Sequence, residues 1–375
     1  MNRKQFLVLL VLVLLIGGAG LWMFRSDVAS WGTREAKTGE RLFPGLIAAD
    51  VAKIAMRGAK GAVTIVREGD HWTVAERSSY PADVREITDL LAKLTELKVV
   101  QTQSVTEAQW PRLELADPGK GDGAGVALEL TGKDGKPLGS LVAGKTYLKK
   151  DPLNPLPSAQ DGVPAGRYVR VPAYPQVAIT VADPLAAVEI NPGRWLAREF
   201  IRVDRVRTLT VAPADGPAWK VTREEEFMPW RMAGADRFNV PAAMQAAQAL
   251  SGMTLADVAP GMKGDALAKP LVITAETFDG LTYTLRLAPK DAEHFYLSYS
   301  VAGEPAKERK PEKGEKAEER ERLDKAWAQS QERLAARLKF ERMLQGLVFI
   351  VPKSSVAALL RERFEMVPPA RPAGR

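Results

Sequence analysis

One stretch of the sequence has the residue types and spacing of a phosphate-binding loop. Residues 139–146 read GSLVAGKT and fit the pattern G-x-x-x-x-G-K-[ST]. In a true phosphate loop a helix begins at the lysine, and backbone N–H groups surround the phosphates. Here the four middle residues complete an alternating strand, and the YLKKDP that follows cannot sustain a helix. We therefore predict a strand, with Lys145 as an exposed turn residue, and no bound nucleotide.

The other residues that could do chemistry are scattered. The two histidines are His71 in a turn and His294 at the start of a predicted strand, so we expect neither a shared metal site nor an acid-base pair. Three glutamates at 224–226 precede Trp230 with no nucleophile or base arrangement, which indicates a solvated turn. Glycines at 119–125 precede a strand rather than the helix that a dinucleotide needs. We predict no catalytic residue, cofactor or metal, and hence a non-enzymatic protein.

The composition limits the class of protein. The 375 residues are 46% hydrophobic, which is enough for about two domains with cores of their own. There is no cysteine, which excludes disulfides and thiolate metal sites. The formal net charge of +7 fits a mildly basic solvated surface or contact with anionic lipid or envelope polymer. Nucleic acid is not an expected partner, because no basic stripe is interleaved with aromatic residues.

An uncharged stretch at residues 6–24 predicts a membrane anchor. It reads FLVLLVLVLLIGGAGLWMF, and as a helix it reaches about 28 Å, close to the hydrocarbon thickness of a bilayer. Arg3 and Lys4 precede it and Arg25 follows it, a bias that favours a cytoplasmic amino terminus. The alternative is a cleaved signal peptide with Val28-Ala29-Ser30 as a weak processing site. The length of the apolar run favours an uncleaved single span in the cytoplasmic (inner) membrane, with the main body outside.

After a polar tether, the first part of the chain is predicted to form strands with alternating apolar residues and one amphipathic helix. After Pro81, Asp83 can cap a helix whose apolar residues recur every three or four positions up to Leu97. A short helix is expected at 185–188, after the last strand. The strands are expected at 51–56, 63–67, 72–74, 126–130, 138–142, 168–171 and 177–181.

The same order of elements returns in the second half of the chain. Trp230 takes the place of Trp72 and Pro241 that of Pro81, so these four residues mark the repeat. The two tryptophans are expected to pack a sheet against a helix, with sugar stacking as the alternative. The closing strand and short helix of 177–188 return at 348–359. This pattern predicts a duplicated domain.

A charged insertion at 303–345 interrupts the second copy and is expected to form a long helix. Lysine, arginine and glutamate dominate it, and a narrow apolar stripe runs along it. The helix is either solvated and laid against its own domain, or it docks a partner through that stripe. The stripe consists of Leu323, Trp327, Leu334 and Leu338.

Three motifs together carry a resemblance to a known family. They are GDHWTV at 69–74, PAD at 81–83 and YVR at 168–170. With them the chain after the anchor resembles the bacterial family known as domain of unknown function 4340 (DUF4340). The resemblance implies a single-pass envelope protein, often encoded beside ABC-type transporter components of the kind linked to gliding motility, and it implies no catalytic residues. The second copy departs from the motifs, with FMPW at 227–230 in place of the glycine turn.

These observations predict an α+β fold in which a transmembrane helix precedes two tandem repeats of antiparallel sheet plus helices. The function we expect is that of an outward-facing accessory or scaffold protein of an envelope ABC-type transport system. Its expected partners are the membrane, through one span, and transporter subunits or other envelope proteins. The alternatives are a binding module for an anionic envelope glycan or lipid and, third, an uncharacterised enzyme. The predicted segments are the cytoplasmic amino terminus and anchor at 1–25, a tether at 26–41, the repeats at 42–198 and 199–367, and a disordered tail at 368–375.

Overall fold

The computed structural model describes residues 36–119, 121–149, 162–306, 308–309 and 316–367. The predicted anchor at 6–24, most of the tether and the tail at 368–375 lie outside the described residues. Within the described ranges, no helix combines the length and apolar character that crossing a membrane requires.

The protein has a mixed α+β fold with two antiparallel sheets. The strands of the first sheet are β1 (Val51–Gly58), β2 (Gly61–Glu68), β3 (His71–Val74), β4 (Tyr80–Pro81), β5 (Val99–Ser104), β6 (Val126–Gly132), β7 (Pro137–Lys149), β8 (Val163–Arg170) and β9 (Val177–Val181). Those of the second are β10 (Val206–Ala212), β11 (Trp219–Thr222), β12 (Arg231–Met232), β13 (Asp257–Ala259), β14 (Leu271–Thr277), β15 (Thr282–Pro289), β16 (His294–Ala302) and β17 (Val348–Pro352). The α-helices are α1 (Val84–Glu96), α2 (Val240–Ser251), α3 (Ala317–Met343), α4 (Lys353–Val356) and α5 (Arg363–Met366).

The two sheets have closely related strand orders. The first runs β4-β3-β2-β1-β6-β7-β8-β9-β5, and the second runs β12-β11-β10-β14-β15-β16-β17-β13. Apart from β4, each strand of the first sheet has a counterpart at the same place in the second. In both sheets the strand that follows the first helix, β5 or β13, lies at the far edge.

The first of two compact units comprises the described residues of Met1–Ala62 and Thr88–Ile190. Its core includes paired strands β1 and β6, where Ile54 lies opposite Leu130, and both side chains are buried. Helix α1 adds Leu90 and Leu94, which the three-to-four spacing predicts to share one face. The apolar periodicity therefore identified this core correctly.

The second unit comprises the described residues of Val63–Ile87 and Asn191–Arg375. Its core contains an aromatic cluster in which the Phe349 ring lies 6.2 Å from that of Tyr80 and 5.7 Å from that of Tyr299. The side chain of Arg77 also holds Asp257 through two hydrogen bonds of 2.6 and 3.0 Å. Each compact unit is thus built from two separate stretches of chain, whereas the predicted domains at 42–198 and 199–367 are continuous.

Helix α1 begins where the sequence predicts. The carboxylate of Asp83 accepts a hydrogen bond of 2.9 Å from the backbone N–H of Arg85, which satisfies a donor that the first turn of a helix leaves open. Desolvation by itself would raise the pKa of Asp83, but the hydrogen bonds from Arg85 outweigh it and the pKa is lowered. The capping carboxylate is therefore ionised under most conditions.

The short helix predicted at 185–188 is wrong. Leu185 has a left-handed backbone conformation, with φ of 48°, which an α-helix cannot contain. The carbonyl oxygens of Leu185 and Val188 instead accept hydrogen bonds of 2.9 and 3.1 Å from the partly buried side chain of Arg167. In the second half, the expected helix at 356–359 exists as the end of α4 and a 3-10 turn over Ala357–Leu360.

Candidate functional site

The feature of the second unit with the most unusual chemistry is the carboxyl-terminal end of helix α3. This helix is 27 residues long, or about 40 Å at 1.5 Å per residue. Leu334 and Leu338 are buried, with 9% and 3% of their surface exposed, so this end of the helix packs on its own unit. Leu323 and Trp327 are only partly buried. The predicted stripe therefore has one half used by the fold and one half that keeps some access to solvent.

Glu341 is a fully buried carboxylate near the end of this charged helix. None of its surface is exposed. The hydroxyl of Tyr283 on β15 donates to its Oε2 at 2.7 Å, and the backbone N–H of Arg202 donates to Oε1 at 3.2 Å. The hydroxyl of Tyr299 on β16 donates to the Glu341 carbonyl oxygen at 2.8 Å. Both the side chain and the backbone of this residue thus tie α3 to the sheet.

Burial shifts the pKa values of this cluster. It raises the pKa of Glu341, even though the hydrogen bonds from Tyr283 and Arg202 and the charge of Arg337 favour ionisation. Burial and the nearby Glu341 charge also raise the pKa of the Tyr283 hydroxyl above its usual range. The tyrosine therefore stays a hydrogen-bond donor, which is the role that its contact with Glu341 requires.

A second layer of charge surrounds Glu341. The side chain of Arg337 donates to Asp204 at 2.8 Å, and its Nε lies 3.7 Å from Oε1 of Glu341. Burial by itself would lower the pKa of Arg337. The charge of Glu341 and the hydrogen bond to Asp204 outweigh burial, and the pKa of Arg337 is raised. Arg202 holds the other oxygen of Asp204 at 3.0 Å. The loop before β10 is therefore fixed to α3 by ionic contacts.

A cleft of about 330 Å³ opens beside this layer, between α3 and the loops of the second sheet. Two groups near it lack hydrogen-bond partners in the described part of the chain: Oε1 of Gln331 and Nε of Arg337. Arg333 also lines the cleft. Within the described ranges its side chain makes one hydrogen bond, from Nε to the backbone oxygen of Gln329 at 3.2 Å. The lining residues are Asp204, Arg205, Asp279, Ser330, Gln331, Arg333, Leu334 and Arg337. An unpaired guanidinium beside unsatisfied polar atoms can bind a polar or anionic group.

The phosphate-loop-like motif lies elsewhere, within strand β7. Residues 139–146 are all part of this strand, and no helix begins at Lys145. The strand assignment from the sequence is thus confirmed. Lys145 is exposed as predicted, but it lies in an irregularity of the β7–β8 pairing rather than in a turn. The oxygen of Gly144 at this irregularity accepts a hydrogen bond of 2.8 Å from Arg167, so the motif serves sheet geometry.

The two histidines are placed in different settings. His71 begins β3, opposite Glu68, and its side chain is exposed. His294 begins β16, and its Nδ1 lies 2.9 Å from Oδ1 of Asp291. No group of three or more potential metal ligands occurs among the residues that the structure describes.

The residues that mark the repeat occupy partly different positions. Trp72 and Trp230 are both buried, and the guanidinium of Arg223 lies 4.8 Å from the Trp230 ring centre. Pro81 ends strand β4, whereas Pro241 lies in the first turn of helix α2. The two tryptophans are therefore both buried, whereas one proline lies in a strand and the other in a helix.

Sequence reasoning did not identify Glu341 or its partners. Within a helix rich in glutamate, one buried glutamate looks like its solvated neighbours. A signal was nevertheless available, because Glu341 lies three residues after Leu338 and three before Leu344, on the buried stripe of the helix.

The fold and this site define a class of protein: an α+β chain with two sheets of related strand order and a long charged helix fastened to the second. Residues 72–270, more than half of the chain, match the family described as domain of unknown function (DUF4340). The chain belongs to this family. Neither the curated proteins nor the solved structures include a significant match.

Proposed function

We propose that this protein is a membrane-anchored, outward-facing and non-enzymatic accessory or scaffold subunit of an envelope ABC-type transport system, and that α3 docks its partner. One observation supports this most directly. The carboxyl end of α3 is fastened by the buried Glu341, while Leu323 and Trp327 nearer its other end remain partly accessible. A helix held rigidly at one end can present a preorganised surface to a partner at low entropic cost. We also propose that the two related sheets arose by duplication, because their strand orders correspond.

The sharpest test of docking is a point substitution. Removing the whole insertion at 303–345 would also remove Leu334, Leu338 and Glu341, which belong to the core of the second unit. We expect Trp327→Ala to reduce co-purification of transporter subunits from detergent-solubilised membranes at least tenfold, because tryptophan is among the residues enriched at binding hot spots. Met343→Ala, at a residue that is 61% exposed on the same helix, is the matched control and should leave co-purification unchanged. Equal recovery with both variants would reject α3 as the docking element.

A second candidate function is binding of an anionic envelope glycan or lipid, which Arg333 favours. Its guanidinium lines the cleft beside α3 and has no carboxylate partner in the described ranges. If this candidate is right, the purified full chain binds vesicles with anionic lipid or acidic glycan, and Arg333→Ala weakens binding about fivefold. Lys339→Ala removes an exposed charge from the same helix and should change binding little. Equal binding by the two variants would exclude the cleft as the ligand site.

A further inference from the structure

The turn between β11 and β12 displays an aromatic side chain that the fold does not use. Phe227 is 96% exposed, and the next residue, Met228, is 50% exposed. Single exposed apolar residues are common at protein surfaces, but a nearly fully exposed phenylalanine beside an exposed methionine is not explained by packing in this unit. We call residues 223–230 the acidic aromatic turn, because glutamates at 224–226 precede Phe227.

Contacts on both sides hold this turn in place. The side chain of Arg223 donates to the backbone oxygen of Val206 at 2.8 Å and to that of Glu226, and it stacks on Trp230. Arg205 holds the carboxylate of Glu226 at 2.8 Å. These contacts fix the backbone around Phe227 before any partner arrives, which lowers the entropic cost of binding.

The charge around Phe227 selects the kind of partner. Glu224 pairs with Arg231 at 2.9 Å and Glu226 pairs with Arg205, but Glu225 is exposed and faces no cation among the described residues. In the part of the chain that the structure describes, Glu225 is thus the one carboxylate of the turn that no arginine neutralises; an anionic membrane surface would repel it, whereas lysine or arginine at the rim of a pocket would attract it.

We propose that Phe227 inserts into an apolar pocket of a partner protein whose rim carries lysine or arginine. Glu225 pairs with that rim and Met228 covers the edge of the pocket. This surface shares no residue with the stripe of α3, so different substitutions test the two contacts.

Photo-crosslinking of the full chain in its native membrane tests the proposal. Benzoyl-phenylalanine at position 227 keeps an aromatic anchor and reports what lies against it. We expect one protein adduct, with lysine or arginine flanking the apolar peptide that mass spectrometry identifies as crosslinked. Glu225→Lys should reduce its yield at least tenfold, whereas Asp265→Lys, which reverses an exposed charge elsewhere in the unit, should change it less than twofold.

Two controls keep the experiment decisive. Benzoyl-phenylalanine at Phe364, which is 68% exposed, should give no adduct that responds to Glu225→Lys. Thermal unfolding of each variant should match that of the parent, because the changed side chains are exposed. Adducts with lipid, adducts with a second copy of this chain, a yield no higher than at position 364, or a yield insensitive to Glu225→Lys would each overturn the proposal. Loss of docking by Trp327→Ala bears on α3 alone, so the two ideas can fail independently.

Discussion

Replacing Glu341 by alanine is expected to lower the free energy of unfolding by about 3 kcal/mol, because it removes one partner from a buried charged network. The change would leave the Tyr283 hydroxyl without the acceptor that it now contacts at 2.7 Å. It would also leave Arg337 with one carboxylate, Asp204, where it now has two nearby. A buried donor or charge without a partner costs its full desolvation penalty. The measurement is urea unfolding of the detergent-solubilised full chain, followed by tryptophan fluorescence.

Lys339→Ala is the matched control, since Lys339 lies two residues earlier on the same helix and is exposed. It should change the free energy of unfolding by less than about 0.5 kcal/mol. If Glu341→Ala costs no more than this control, the buried carboxylate does not fasten α3, and the structural basis of the proposed docking role fails with it.

The pH dependence of the same residue has a defined sign. Burial raises the pKa of Glu341 above the value of about 4.3 for an unfolded glutamate. The folded state therefore binds the proton more tightly, and this contribution to stability is complete below about pH 4.3 and is lost as pH rises through the raised pKa. Glutamine cannot titrate. The stability advantage of wild type over Glu341→Gln should be largest in acid and should decrease towards neutral pH, in paired unfolding curves.

The sequence predicted those elements whose burial follows a regular local period. Helix α1 shows this well, because Leu90 and Leu94 repeat at helical spacing and are buried. Strand β7 was predicted from the alternation of its sequence against a motif match, although its residues 141–144 are all buried rather than alternately buried. Strand β5 was missed because only its first residue is buried and the other five are exposed, so its sequence VVQTQS has no alternating apolar face.

The candidate site depends on contacts that no local pattern contains. Glu341 meets Tyr283 and Arg202 across 58 and 139 residues of sequence. Such partners become visible only when the fold brings them together. The grouping of Val63–Ile87 with the second unit has the same origin, since Arg77 finds Asp257 across 180 residues.

Replacing Gly144 by alanine is expected to destabilise the first unit by about 3 kcal/mol, through overpacking against backbone that cannot move. A Cβ at this position would clash with the carbonyl oxygen of Leu113 and would lie 2.7 Å from Cδ2 of Leu115. Its φ is outside the left-handed region, so the penalty is steric. The same residue also accepts the hydrogen bond of Arg167, whose side chain binds two further carbonyl oxygens. Displacing the strand would weaken all three bonds.

Two substitutions in the same motif separate this structural role from phosphate binding. In Gly139→Ala the new Cβ would meet the Phe43 ring at 3.1 Å, a side chain that can shift, so we expect a cost of less than about 1 kcal/mol. Lys145→Ala changes an exposed side chain and should leave the unfolding curve unchanged. In a phosphate loop, by contrast, Mg-ATP would stabilise the parent protein and Lys145→Ala would remove that stabilisation, because the lysine contacts the phosphates directly. Thermal unfolding of the three variants, with and without Mg-ATP, decides the matter: nucleotide-dependent stabilisation that Lys145→Ala abolishes would contradict the role in sheet geometry assigned to this motif.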